Sequence, residues 1–159
     1  MGIKANFSIN DIQKDMEAKV RRIINSAVQA LAFLGMKCVN YARSIPDPDN
    51  GGNGFKDQTG NLRSSIGFKV FQGGRVVKED YKQVLNGAEG VSKGKALADS
   101  VGARCGEHQL MLVVTAGMEY AIYVESRGRD VITSSEQLAM KEWPNMKQRI
   151  DEMIRRMSL

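Results

Sequence analysis

The sequence is short of the residues that build most catalytic and metal centres. Its 159 residues include two cysteines, one histidine, one tryptophan and three prolines. Structural zinc takes four nitrogen or sulfur ligands, and Cys38, Cys105 and His108 together supply three. The two cysteines are therefore expected to be free, buried thiols. A Cys105–His108 nucleophile pair would need a third group to orient the base, and the intervening Gly106-Glu107 reads as loop. No metal or cofactor is expected.

Long apolar runs are missing as well. No uninterrupted stretch approaches the ~20 residues that span a bilayer, and Met1-Gly2-Ile3-Lys4 does not open a signal-peptide core. The expectation is an intracellularly assembled protein without membrane contact. Runs of one charge are also absent. The net charge of +5 is spread along the chain, with short pairs at Arg21-Arg22 and Arg155-Arg156 and no run of five basic residues. Aromatics make up 6% and rarely fall among the basic residues, whereas single-strand binders offer stacking platforms. The charge is compatible with an anionic partner such as DNA, contacted without base readout.

What is present reads as a single domain, residues 1–159, of α+β class. Ile12, Met16, Val20, Ile23, Ala27, Leu31, Leu34, Cys38, Ala42 and Ile45 recur at close to 3.6 residues. That spacing predicts a long N-terminal helix, opened by Ser8 with Asp11 and stopped by Pro46. Such a helix would reach roughly 45 Å at 1.5 Å per residue, more than a small domain requires. Either Gly35 breaks it, or one end packs on something outside the domain.

Asp47 to Asp57 is loop by composition; its Asp/Asn/Gly run lacks the closing glutamate of a calcium loop. Ile66, Phe68 and Val70 alternate as a strand with one apolar face. Gln72-Gly73-Gly74-Arg75 signals a hairpin, returning through Arg75 to Lys78. A small antiparallel sheet built on that hairpin is expected, completed by a buried strand over Gln109 to Ala116. Residues 79–107 are glycine-rich and read as a loop-rich excursion, with helical turns near Tyr81 to Leu85 and Ala96 to Val101. Tyr120 to Glu125 fits either a strand or a helical turn. Thr133 with Glu136 makes a capping box for a C-terminal helix, in which Pro144 either kinks the helix or starts a new one.

The stretch Thr59-Gly60-Asn61-Leu62-Arg63-Ser64-Ser65 has the composition of a phosphate cradle. A phosphate loop, however, follows a strand and carries Lys-Ser/Thr after its glycines, and here neither holds. The reading taken is a turn capped by Thr59 or Asn61 that leads into the strand. Glu119 and Glu125 do not form the convergent carboxylate pair that acid–base catalysis needs. Nothing assembles a nucleophile, base and orienter, so no catalytic residue is assigned and no enzyme is expected.

Thr59 to Ile66, followed after a strand-rich middle by Ala116-Gly117-Met118-Glu119-Tyr120-Ala121-Ile122-Tyr123-Val124-Glu125, resembles a family of tailed-phage proteins. These are the minor tail or head–tail joining proteins (tail-completion, neck) of the HK-ninety-seven gene-product-ten type. The family combines a long N-terminal helix, a "T-G-x-L-R-x-S-I" segment, a "Y-A-x-x-V-E" segment and a C-terminal helix. Its Pro-rich "P-x-P-F" stretch before the last helix has no counterpart in Glu125 to Ile132. The resemblance implies a non-enzymatic virion component at the head–tail junction, assembled in the bacterial cytoplasm. It implies a ring of self-contacts, with a hexamer among the allowed sizes, meeting connector and tail-tube proteins and binding no small-molecule substrate. It marks Thr59, Gly60, Leu62, Arg63, Ser65, Tyr120, Ala121, Val124 and Glu125 as fold or interface residues. It also favours a helical turn for Tyr120 to Glu125, with Tyr120 and Val124 packed inward.

Overall fold

The first helix, α1 (Ile9–Ser44), runs for 36 residues without a break, about 54 Å at 1.5 Å per residue. The structure is a computed structural model that describes residues 8–158. Ser8 caps α1 as expected: its hydroxyl accepts from the Asp11 N–H at 3.1 Å and donates to the Asp11 carboxylate at 2.9 Å. Gly35 does not interrupt the helix. A Cβ there would stand 2.6 Å from the Phe68 ring, so the missing side chain lets that ring lie against the helix. The two halves of α1 then differ: Ile9 to Arg22 are all exposed, whereas Ala27 to Ala42 supply one side of the core.

A short helix, α2 (Asn61–Ser65), leads into β1 (Ile66–Gln72), and a two-glycine turn returns the chain as β2 (Arg75–Asp80). After β3 (Leu110–Ala116) the sheet is antiparallel in the order β2-β1-β3. β1 pairs Phe68 with Val114 and Gln72 with Leu110, and a bulge breaks its register with β2 after Val70. The architecture is α+β, with a long N-terminal helix, a three-stranded antiparallel sheet and a C-terminal helix, as the sequence predicts.

β1 departs from the one-faced strand expected. It is the central strand and is covered on both sides. Ile66, Phe68 and Val70 face α1, while Phe71 joins Ala98, Cys105 and Val113 in a second, smaller cluster. Lys69 is buried on that second side, held by Asp99 at 2.6 Å and Glu79 at 3.4 Å. β3, an edge strand, is partly rather than fully buried.

The layer on the second side is the main correction to the sequence reading. Residues 79–107 are not chiefly loop: they complete β2 and, after a connection in which the helical turn expected near Tyr81 to Leu85 does not form, make α3 (Ala88–Gly102), which contains the turn expected near Ala96 to Val101. Gly90, Gly94, Ala98 and Gly102 are its buried residues, one every four positions. A Cβ on Gly90 would lie 2.0 Å from the Asn61 carbonyl oxygen, and one on Gly94 2.5 Å from that of Ser65. The glycines that read as loop punctuation are the stripe that lets α3 pack backbone-close on α2 and the sheet. Tyr81 locks the contact, its hydroxyl 3.1 Å from the Gly94 carbonyl and 2.7 Å from Thr115 Oγ1. Burial pushes that phenol up to about 12.

α4 (Ala121–Ser126) resolves the strand-or-helix ambiguity in favour of the helix. α5 (Thr133–Ser158) continues through Pro144, where the missing N–H removes one ladder bond. It packs antiparallel on α1: Ser135 Oγ donates to the Cys38 carbonyl at 2.7 Å, and Lys37 meets Glu142 at 3.0 Å. Both cysteines are free and buried, and burial raises the Cys38 thiol above its usual value. By length and composition α1 is apolar enough to cross a membrane, although polar residues interrupt its apolar run. In this fold 44% of that apolar window is buried inside the protein.

Candidate functional site

The two motif segments, more than fifty residues apart, meet at one place. Ser65 joins them: its Oγ donates to the Leu62 carbonyl at 2.8 Å and accepts the Met118 N–H at 3.3 Å. Gly117 N–H, at the start of the second segment, donates to the Ser65 carbonyl. Leu62 and Ala121 are buried in the same core cluster, with half-buried Val124 packed against it. Thr59, Leu62, Tyr120 and Val124 also line one small cavity of about 260 Å³, with Asp57 and Arg129.

The turn ahead of α2 is built differently from the cap expected. The N-cap position is Gly60, at φ +84°, a left-handed conformation that favours glycine. Thr59 Oγ1 accepts the Asn61 N–H at 3.3 Å, and Asp57 Oδ1 accepts the Gly60 N–H at 3.0 Å. Asp57 Oδ2 lies 3.7 Å from Arg63 Nε. The protein's own carboxylate therefore stands where an anionic ligand would sit, and this disposes of the phosphate-cradle appearance.

Arg63 is engaged on every side. Its guanidinium donates to the Arg43 carbonyl, pairs with Asp57 and lies 5.2 Å above the Phe55 ring. Arg43, in the last turn of α1, donates to the Ile66 carbonyl at 2.6 Å and the Lys82 carbonyl at 3.1 Å. Burial lowers the Arg43 pKa, with the neighbouring Arg63 charge acting the same way and Asp80 opposing. Ser64 completes the clamp, its Oγ accepting the Val84 N–H at 2.7 Å. Together these bonds fasten the end of α1, α2, the start of β1 and the segment before α3.

Glu125 has a role that its sequence context hid. Its Oε1 accepts the Ile132 N–H at 2.8 Å and the Thr133 N–H and Oγ1–H at 3.0 Å each. Asp130 accepts the Ser134 N–H at 3.2 Å and the Ser134 hydroxyl. The start of α5 is thus capped by two carboxylates, Glu125 from the end of α4 and Asp130 from the connecting loop, instead of the expected Thr133–Glu136 box. Both satisfy orphan N–H groups and oppose the positive end of the helix dipole. Glu125→Ala should lower stability by about 1–2 kcal/mol, with Glu125→Gln recovering most of it; urea denaturation of the three chains checks this.

Tyr120 is the one motif residue that the structure turns around. It was expected to pack inward and is 42% exposed, while its neighbour Ala121 takes the buried position. Ile122 and Tyr123 on the same helix are 77% and 55% exposed, and Arg127 stacks 4.4 Å over the Tyr123 ring. This aromatic, aliphatic and arginine patch has the composition of interface hot spots. No sequence pattern marks it, because a six-residue helix is too short for a periodicity to show which face is buried. Glu119, once weighed as half of a carboxylate pair, is paired with Lys93 at 2.9 Å. The chain matches no known family model, no curated protein and no solved structure.

Proposed function

We propose that the chain is a structural virion component of a tailed phage or prophage, joining or completing the head–tail junction as an oligomeric ring. One observation carries the reading. The polar groups of both motif segments are engaged inside the fold, while large apolar side chains on α1 and α4 are left facing outward. A joining protein works through contacts rather than through chemistry, and that division of residues suits it. A ring needs two different, complementary surfaces on each subunit, and the outer half of α1 and the α4 patch are two distinct candidates. The partners in this reading are further copies of the chain, connector proteins and tail-tube proteins. No cofactor or small-molecule substrate has a role in it.

A second reading, a basic nucleic-acid-binding module, draws on Arg21, Arg22, Arg155 and Arg156. All four are exposed, and among the described residues none forms an ion pair. The antiparallel packing of α1 and α5 carries both pairs toward the same end of the helical layer.

Light scattering with negative-stain imaging, on the chain alone and mixed with connector and tail-tube proteins, separates the two. Rings or ternary assemblies are the expected outcome. A monodisperse monomer that joins neither protein sinks the joining reading. DNA binding that falls steeply with salt in a fluorescence anisotropy titration, without assembly, would favour the second reading.

A further inference from the structure

The molecule leaves a ridge and a trough uncovered. The ridge is the outer half of α1, where Ile9, Ile12, Met16 and Val20 follow at helical spacing and are 80%, 45%, 62% and 53% exposed. The trough encloses about 590 Å³. Leu31 and Leu34 of α1 floor it, Leu110 and Leu112 on the β3 edge strand form one wall, and Met140 and Trp143 of α5 form the other.

The ridge has no route into its own trough. α1 is a single unbroken helix, so Met16 stays fifteen residues from Leu31, about 22 Å along the axis. Among the described residues outside α1, Gln72 borders this face, across an open hollow of about 720 Å³.

We propose that the ridge of one copy seats in the trough of a second copy, head to tail. The anchors fall at i, i+3, i+7 and i+11, the pattern of an amphipathic helix laid in an apolar groove. The ridge side chains, with Met140 at 65% and Trp143 at 43% exposure in the trough, offer apolar surface. A standard interface buries about 1,600 Å², about 57% of it apolar, and these side chains supply large apolar surface to one. Charge is complementary as well. From Ile9 to Val20, Asp11, Asp15 and Glu17 stand against Lys14 and Lys19, whereas α5 from Lys141 to Arg156 has five basic residues against three acidic ones.

Ridge and trough are different surfaces, so the contact is heterologous and repeats into a closed ring or an open filament. The inference rests on the ring reading above for closure; the contact itself does not depend on phage partners.

The test uses two full-length variants, Met16→Cys and Trp143→Cys, mixed and oxidised. The native thiols do not compete, since Cys38 and Cys105 are 1% and 7% exposed. The expected product is a cross-linked pair holding one copy of each variant, with little product from either variant alone. Met16→Glu and Met140→Glu should each reduce the scattering mass to that of a monomer. Both sites are more than 60% exposed, so the thermal melt of the monomer should not move. The proposal is overturned if Met16→Cys copies link chiefly to one another, or if no mixed product forms. It is also overturned if the ridge instead binds phosphatidylserine-containing vesicles in a Met16-dependent way. A mixed cross-link with no connector or tail-tube complex removes the phage reading and leaves this contact standing. Rings that persist in Met16→Glu do the reverse.

Discussion

Arg63→Ala is expected to lower the unfolding free energy by about 3 kcal/mol, and adding Asp57→Asn to return most of it. The Asp57 side chain is 8% exposed, and its Oδ2 has no hydrogen bond; Arg63 is the cation beside it. Removing one partner of a buried pair leaves an uncompensated charge, which costs about 3–5 kcal/mol where burial is complete. The lower end applies here, because the Arg63 side chain is 27% exposed and water reaches part of the pair. The same change strips the Arg43 carbonyl of its donor and Phe55 of its stacked cation. Asparagine at 57 keeps an oxygen for the Gly60 N–H and removes the stranded charge, so the double variant should approach the stability of Asp57→Asn alone. Urea midpoints for the four chains read the coupling directly. A near-neutral Arg63→Ala would mean that the arginine is held for a ligand rather than for the fold.

Gly90→Ala comes next in expected size. Replacing a helical glycine with alanine ordinarily stabilises a protein by up to about 1 kcal/mol. Here the new methyl would stand 2.0 Å from the Asn61 carbonyl oxygen and 2.8 Å from its carbonyl carbon. That neighbour is backbone in the turn that positions Leu62 and Arg63, so it cannot swing aside as a side chain would. Overpacking at such a contact costs about 1–3 kcal/mol, and the loss should come with a perturbed Thr59–Ser65 segment. Ser92→Ala, on the exposed face of the same helix, should instead be neutral or slightly stabilising. Thermal melts of the pair give opposite signs if α3 packs as described, and the same sign if residues 79–107 behave as a loop.

These two positions show what the sequence could and could not disclose. The long helix, the hairpin and the last strand were legible because each rests on a local rule: a 3.6-residue stripe, a glycine pair between alternating strands, a β-branched run. α3 was legible only as the turn near Ala96 to Val101, because its buried face is made of Gly90, Gly94, Ala98 and Gly102, which carry no hydrophobic periodicity. Small residues marking close packing and small residues marking loops have the same composition, and only the neighbouring backbone tells them apart. The cap of α5 was missed for a related reason. Thr133 and Glu136 have the right local spacing, yet Glu125 reaches the same N–H groups from the end of the preceding helix. Local patterns cannot weigh a competitor that arrives through tertiary structure.

The motif residues divide their labour in a way that residue spacing alone does not show. Thr59, Gly60, Leu62, Arg63, Ser65, Ala121, Val124 and Glu125 build and brace the fold. Tyr120, grouped with them, faces outward beside Ile122 and Tyr123. In the proposed reading, the surfaces for other molecules fall on such positions and on the outer half of α1, where a core-like stripe continues past the end of its own core.

The measurement closest to the central claim is the mass of the full chain in solution with rising concentration, with and without connector and tail-tube proteins, for the native sequence and Met16→Glu. A discrete ring mass in the native chain, alone or with those proteins, and a monomer in Met16→Glu is the predicted result. A native chain that stays monomeric in every mixture contradicts it.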